Sequence, residues 1–196
     1  MNAETHELNF VKIKQQSIEQ TCKYADLEKT SQTLLTPDQS ISQLINKFIE
    51  RSAFKDVISV IAHALPPREA VYWACLCVRD VLDQNTMSED LRAIKAAEQW
   101  VIKQSESDRM LNHQIAEDLD YTTASAWVSN AVFWSGGNIS TDKNAKVEPP
   151  EGIFGKAISG AINLASATED GKKTEQIKKQ FIKRGINIAQ GGKGDI

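Results

Sequence analysis

HALPPREAVYWACLCVRDVLD, residues 63–83, is the stretch whose reading decides the fold. Ala70 to Val78 are nine consecutive apolar residues, the longest such run in the chain. Pro66-Pro67 opens it, and Pro67 suits a first helical position, where its missing N–H would be unpaired anyway and its φ is already set. Glu69 follows, placing a carboxylate at the positive end of the helix dipole. Ala70, Trp73, Ala74, Cys77 and Val81 form one helical stripe, and Val71, Cys75, Val78 and Leu82 a second beside it. Two adjacent apolar stripes predict a helix covered on most sides by neighbours. Nine apolar residues between charged pairs are too few to span a bilayer, which takes about 20. The stretch is therefore expected to be the central helix of a soluble all-α domain.

The flanking segments carry the same period. Ile41, Leu44, Ile45 and Phe48 follow a turn at Thr36-Pro37-Asp38, and Phe54, Val57, Ile58, Ile61 and Leu65 lead up to Pro66. Both sets have the i, i+3, i+4, i+7 spacing of an amphipathic helix. Beyond the central helix, Asn85-Thr86 breaks the pattern, and Ser88 is expected to cap a helix reaching Gln104. Ser107 is expected to cap the next, and Thr122 or Thr123 a further one carrying Trp127, Ala131 and Trp134 and stopped by Gly136-Gly137. Phe154–Ala167 is rich in small residues, which allow close helix approach, and Thr174–Ala189 sets isoleucines against a row of lysines. Thr21–Leu35 reads as one weak helix. No segment favours strict alternation, so the fold expected is a compact bundle of about seven to eight helices. Residues 1–20 are expected to form a loosely ordered arm, 21–189 the domain with a linker at 138–152, and 190–196 a flexible tail.

An Ala-x-x-Trp element recurs at 27-residue spacing: Ala70/Trp73, Ala97/Trp100 and Ala124/Trp127. One connection separates the first pair of tryptophans and an extra helix the second, so the recurrence reads as core-filling tryptophans rather than a structural repeat.

Composition limits the function classes. A net charge of −3 gives no global attraction to nucleic acid or an anionic membrane, although residues 172–196 carry seven basic and two acidic side chains. That basic segment is expected to be a solvated face or an intramolecular partner. Three cysteines, two within the apolar run, suggest reduced thiols in a cytoplasmic protein. The N-terminal residues lack the basic and apolar regions of a secretory signal.

Reactive constellations are missing from the pattern. His63 reads as a packed or capping histidine, and His6 falls in the terminal tail. His113 and Glu117 could hold half a metal site, with nothing to complete it. Gly191-Gly192-Lys193-Gly194 resembles a phosphate loop without the preceding strand or following Ser/Thr. No catalytic residue, cofactor or metal is therefore expected. The sharpest polar pair is Arg68-Glu69. Its expected role is a buried ion pair that fixes helix packing; the alternative is that Arg68 and Trp73 face a groove that receives a partner.

The run His63–Ala74 resembles the signature of an uncharacterised bacterial helical family. The likeness extends through Ala97–Ile102, Ala131–Gly137, Pro149–Gly160 and Gly185–Ala189, covering roughly residues 20–192. The resemblance assigns no catalysis. Its association with type VI secretion gene clusters implies an adaptor or chaperone-like accessory protein, with a secretion component or effector as partner. An immunity-type protein that blocks a toxin is the alternative, and an enzyme whose site draws on Arg68, Glu69, His63 and Trp134 a third. His63, Pro66, Arg68, Glu69, Trp73 and Trp134 are the candidate partner-binding or structural residues; the oligomeric state is open.

Overall fold

The computed structural model describes residues 8–13, 17–82, 88–140 and 144–195, and among these the secondary structure is helical with no strand. Ten helices follow one another: α1 (Ile18–Cys22), α2 (Lys29–Gln32), α3 (Ile41–Glu50), α4 (Phe54–Ala64), α5 (Pro67–Arg79), α6 (Ser88–Lys103), α7 (Glu106–Asp118), α8 (Ala124–Phe133), α9 (Ile153–Ser166) and α10 (Gly171–Ala189). The all-α expectation holds, with more helices than the seven or eight expected. One of the additional helices arises because Thr21–Leu35 is no single helix. A short α1, beginning ahead of that segment, and a four-residue α2 flank a bent connection.

Local chemistry sets the helix ends. Ser40 and Gln43 form a reciprocal capping box at α3, each side chain accepting the other's backbone N–H. Thr123 caps α8 by accepting from Ala126 N, and its hydroxyl donates to Asp90 at 2.6 Å. Ser105, not Ser107, caps α7, accepting from Asp108 N; Ser107 lies within the first turn. Both serines precede acidic residues, so sequence spacing alone does not choose between them. α8 closes at Phe133, ahead of the glycines, and the left-handed position falls at Gly137 (φ 73°). Asn85-Thr86, His6 and Ile196 lie outside the described residues.

α5 packs against α6, α8, α9 and α10, while α8 packs against α5, α6, α7 and α9. The inner face of α5 is wholly buried at Ala70, Val71, Trp73, Ala74, Cys75 and Cys77, and α4, which packs on α3, α9 and α10, carries an equally buried Val57–Ala62 stretch that only Ser59 interrupts. The central-helix reading holds for residues 67–79, whereas Val81 and Leu82, expected on its stripes, lie past its end, Val81 being 38% exposed; α4 and α8 share its depth. Trp73 reaches across to α10, where its Nε1 donates to the Phe181 carbonyl at 2.8 Å. Gly185, one turn further along α10, leaves room for that indole: a Cβ there would lie 2.8 Å from the ring. The other two tryptophans of the recurrence fall in α6 and α8 at different depths along their helices, with α7 between them.

Segments expected to be loose are tied to this body. Leu8, Phe10 and Ile13 pack against the core, Leu8 N donates to Ser42 Oγ, and Lys12 N donates to the Ala189 carbonyl. The tail folds back as well. Gly194 N donates to Asn187 Oδ1 at 2.8 Å, and Arg184 to the Gly194 carbonyl. In the 138–152 connection, Asn138 accepts from Ser140 N and Val147 N and donates to the Ala145 carbonyl. The Asn138 amide thus ties the two sides of the loop together, beside the bond from Ile139 N to the Val147 carbonyl. The basic α10 spends part of its charge internally: Arg184 forks onto Asp80 at 2.8 and 3.0 Å, and Lys179 pairs with Glu175.

Candidate functional site

Where α5 begins, Pro66 keeps the chain extended (ψ 153°) and Pro67 starts the helix. Ala70 and Val71 then turn inward, which leaves Arg68, Glu69 and Tyr72 on the outer side of the first turns. The Arg68 side chain is 52% exposed, and its guanidinium lies 3.8 Å from Glu69. This is a correction: the pair is not a buried ion pair. Arg68 Nε instead donates to the Val101 carbonyl at 2.9 Å, in the last turn of α6, where carbonyls lack intrahelical partners. Glu69 is the more sheltered member, 16% exposed, and Lys12 Nζ approaches it at 3.5 Å.

These groups edge a groove of about 350 Å³ framed by Lys12, Arg68, Tyr72, Ile102, Gly192 and Lys193. Four parts of the chain build it: the arm, the start of α5, the end of α6 and the turn after α10. Tyr72 holds the last of these in place, its hydroxyl donating to the Lys193 carbonyl at 3.0 Å. Ile102 stands on the rim with 76% of its surface exposed. The groove therefore combines three cations, one carboxylate, a tyrosine and an uncovered aliphatic side chain.

The other candidate residues go elsewhere. Trp73, proposed as an aromatic wall of such a groove, is fully buried; Tyr72, its neighbour, takes that place. A helix advances about 100° per residue, which turns Trp73 inward while Tyr72 stays on the groove side. Trp134 meets Trp127 edge-on at 6.4 Å and lines a separate cleft with Asn138, Lys146 and Glu148. His63 faces α9, where a Cβ on Gly155 would come within 2.5–2.7 Å of its ring. Its Nδ1 lies 2.8 Å from the Ser59 carbonyl. A carbonyl only accepts, so Nδ1 carries a proton, and the buried Nε2 sits near the Gly152 backbone. Burial pulls the His63 pKa below its usual value.

His113 and Glu117 come within 3.6 Å, but the His113 ring stacks on Phe133 at 3.9 Å. Among the described residues, no group of three or more His, Cys, Asp and Glu side chains is placed to hold a metal ion. The three thiols are unpaired and buried. Desolvation pushes Cys22 up to about 11 and raises Cys75 and Cys77 as well, which keeps all three protonated at neutral pH. No helix among the described residues is long and apolar enough to cross a membrane.

Sequence reasoning missed Lys12, Tyr72, Ile102 and Lys193. Only Ile102 left a signal, as an aliphatic residue off the buried Ala93-Ala97-Val101 side of α6. It also missed Arg109, 4% exposed, which donates to the carbonyls of Phe133 and Asn138 and forks onto Glu106.

The model of a family of unknown function, DUF6931, matches residues 44–189. This chain belongs to DUF6931. The matched region includes Arg68, Glu69, Tyr72 and Ile102, whereas Lys12 and Lys193 lie outside it. Comparison with curated proteins and with solved structures gave no match. DUF6931 membership thus joins most of the groove to a family whose description assigns it no activity.

Proposed function

We propose that this chain is a non-enzymatic, cytoplasmic accessory protein, an adaptor or chaperone-like module, that binds a protein partner at the groove beside the start of α5. The observation that carries the reading is Ile102. A 76%-exposed isoleucine stands next to a half-exposed arginine on the rim of a cleft, and arginine with apolar anchors is what protein interfaces use for affinity. The unpaired thiols accord with a reducing compartment. The likeness of His63–Ala74 to a family associated with type VI secretion makes a secretion component or effector the partner to seek first.

The test is affinity purification from the native host with the wild-type chain and with Ile102→Asp. The variant removes an exposed side chain, so its melting temperature should stay within a few degrees of wild type. A specific partner recovered with wild type and lost with Ile102→Asp is the expected result. Equal recovery by both would remove the groove from the binding surface.

A further inference from the structure

We propose that the groove takes an acidic peptide segment of the partner, with a carboxylate on the outer edge of Arg68 and an adjoining apolar side chain on Ile102. This rests on the reading of the groove as a partner surface and adds the chemistry of what enters it.

Charge complementarity is the first argument. Lys12, Arg68 and Lys193 face one carboxylate, Glu69, in the groove, an excess of two positive charges on a chain whose net charge is −3. Glu69 does not cancel them: it is largely sheltered and shared between Lys12 and Arg68 at 3.5 and 3.8 Å. The solvent side of the groove is left with the cations.

Preorganisation is the second. With Nε fixed on the Val101 carbonyl and Nη1 lying 3.8 Å from Glu69, the guanidinium plane is oriented and its outer edge at Nη2 is turned to an incoming carboxylate. A planar fork held in advance loses less conformational freedom on binding than a free side chain. Ile102 follows Val101 in the chain, so the cationic and apolar contact points are held at a fixed offset. The Tyr72 hydroxyl, by donating to the Lys193 carbonyl, fixes the backbone that carries the third cation. A nucleic-acid phosphate would use the same cations but would leave Ile102 without a role.

The experiment titrates the full chain into a fluorescein-labelled peptide of repeated Glu-Asp-Leu triplets and follows anisotropy at low salt. A Lys-Lys-Leu peptide serves as control and an oligothymidylate of matched charge as competitor. The acidic peptide should bind and the basic one should not. Lys193→Glu, an exposed residue beyond the last helix, should weaken binding at least about tenfold with unchanged melting temperature, and Arg68→Glu should do the same. Raising salt should weaken it further. Absence of binding, or binding indifferent to Lys193→Glu, would overturn the proposal. Full competition by the oligothymidylate would overturn it too, by assigning the groove to phosphate. Should Ile102→Asp abolish capture of the host partner while the acidic peptide fails to bind, the partner reading stands and this chemistry is wrong. Should the peptide bind while every groove variant still captures the partner, the chemistry stands and the partner reading is wrong.

Discussion

Arg68 and Arg109 present the same chemistry in two settings. Each has a glutamate within three residues, and each donates to a carbonyl near the end of a neighbouring helix. Arg109 is 4% exposed, lies 4.9 Å above the Phe133 ring and divides its donors among Glu106, Phe133 and Asn138. A Cβ on Gly137 would come within 2.9 Å of its guanidinium. Arg68 makes one backbone bond, keeps a long contact with Glu69 and leaves half of its surface in solvent. An arginine with all three nitrogens engaged and an aromatic face against it is spent on the fold. One held at a single point, with its fork outward, is available to something else. What separates the two is burial and saturation, neither of which is visible in a sequence.

The largest effect should come from the inner side of the same helix that displays Arg68. Trp73→Ala removes a fully buried indole and its bond to the Phe181 carbonyl. It should cost roughly 3–5 kcal/mol, the usual loss for a large buried aromatic, read by urea unfolding. A loss under about 1 kcal/mol would contradict the buried placement on which the inner–outer division of α5 depends.

Arg109→Ala should come next. The variant strips the Phe133 and Asn138 carbonyls of a charged donor and uncovers the Phe133 ring, whereas Glu106, mostly exposed, is left in water. About 2–3 kcal/mol is expected, from the buried Phe133 carbonyl left unsatisfied and from lost packing. Limited proteolysis should then open the 138–152 loop, whose first residue Arg109 holds. A loop as resistant as in wild type would show that Asn138 organises it unaided.

How far these regions were legible follows from range. Helices α3 to α6 and α8 to α10 write themselves in local periodicity, and Ser40, Pro67 and Thr123 mark their starts. The Arg68-Glu69 pair was visible as a polar interruption, but whether it was buried was not. That depends on Val101, 33 residues away. The groove's remaining walls depend on longer pairings still, such as Lys12 N with the Ala189 carbonyl and Tyr72 with Lys193. A short apolar cluster in the arm and a glycine-rich tail carry no period, so nothing local announces that each is pinned by a distant backbone.

A smaller, pH-dependent effect belongs to His63. Its folded-state pKa is lowered by burial, so the unfolded chain binds the proton more readily and stability is fully present above the unfolded value, near 6.5. As pH falls below that, through the folded pKa, this stability is lost. His63→Gln should flatten the slope of stability against pH between about 7 and 5, measured by thermal melts across that range. An unchanged slope would move the titration to other groups.

The smallest expected effect is the one that separates the two arginines. Arg68→Ala frees the Val101 carbonyl, which lines the open groove at the last turn of α6, where water can take the bond, and Glu69 keeps Lys12 as a partner. The ion pair that is lost is half-exposed and long, the kind worth about 0–1 kcal/mol. The folded protein should therefore lose no more than about 1 kcal/mol by urea unfolding, less than half the cost of Arg109→Ala. A loss equal to that of Arg109→Ala would mean that the outward guanidinium is needed by the fold after all, and the contrast between the two sites would collapse. With stability nearly unchanged, any loss of partner capture in Arg68→Ala reports on the groove itself. Stability and capture measured on the same preparation therefore decide between a structural arginine and a binding one.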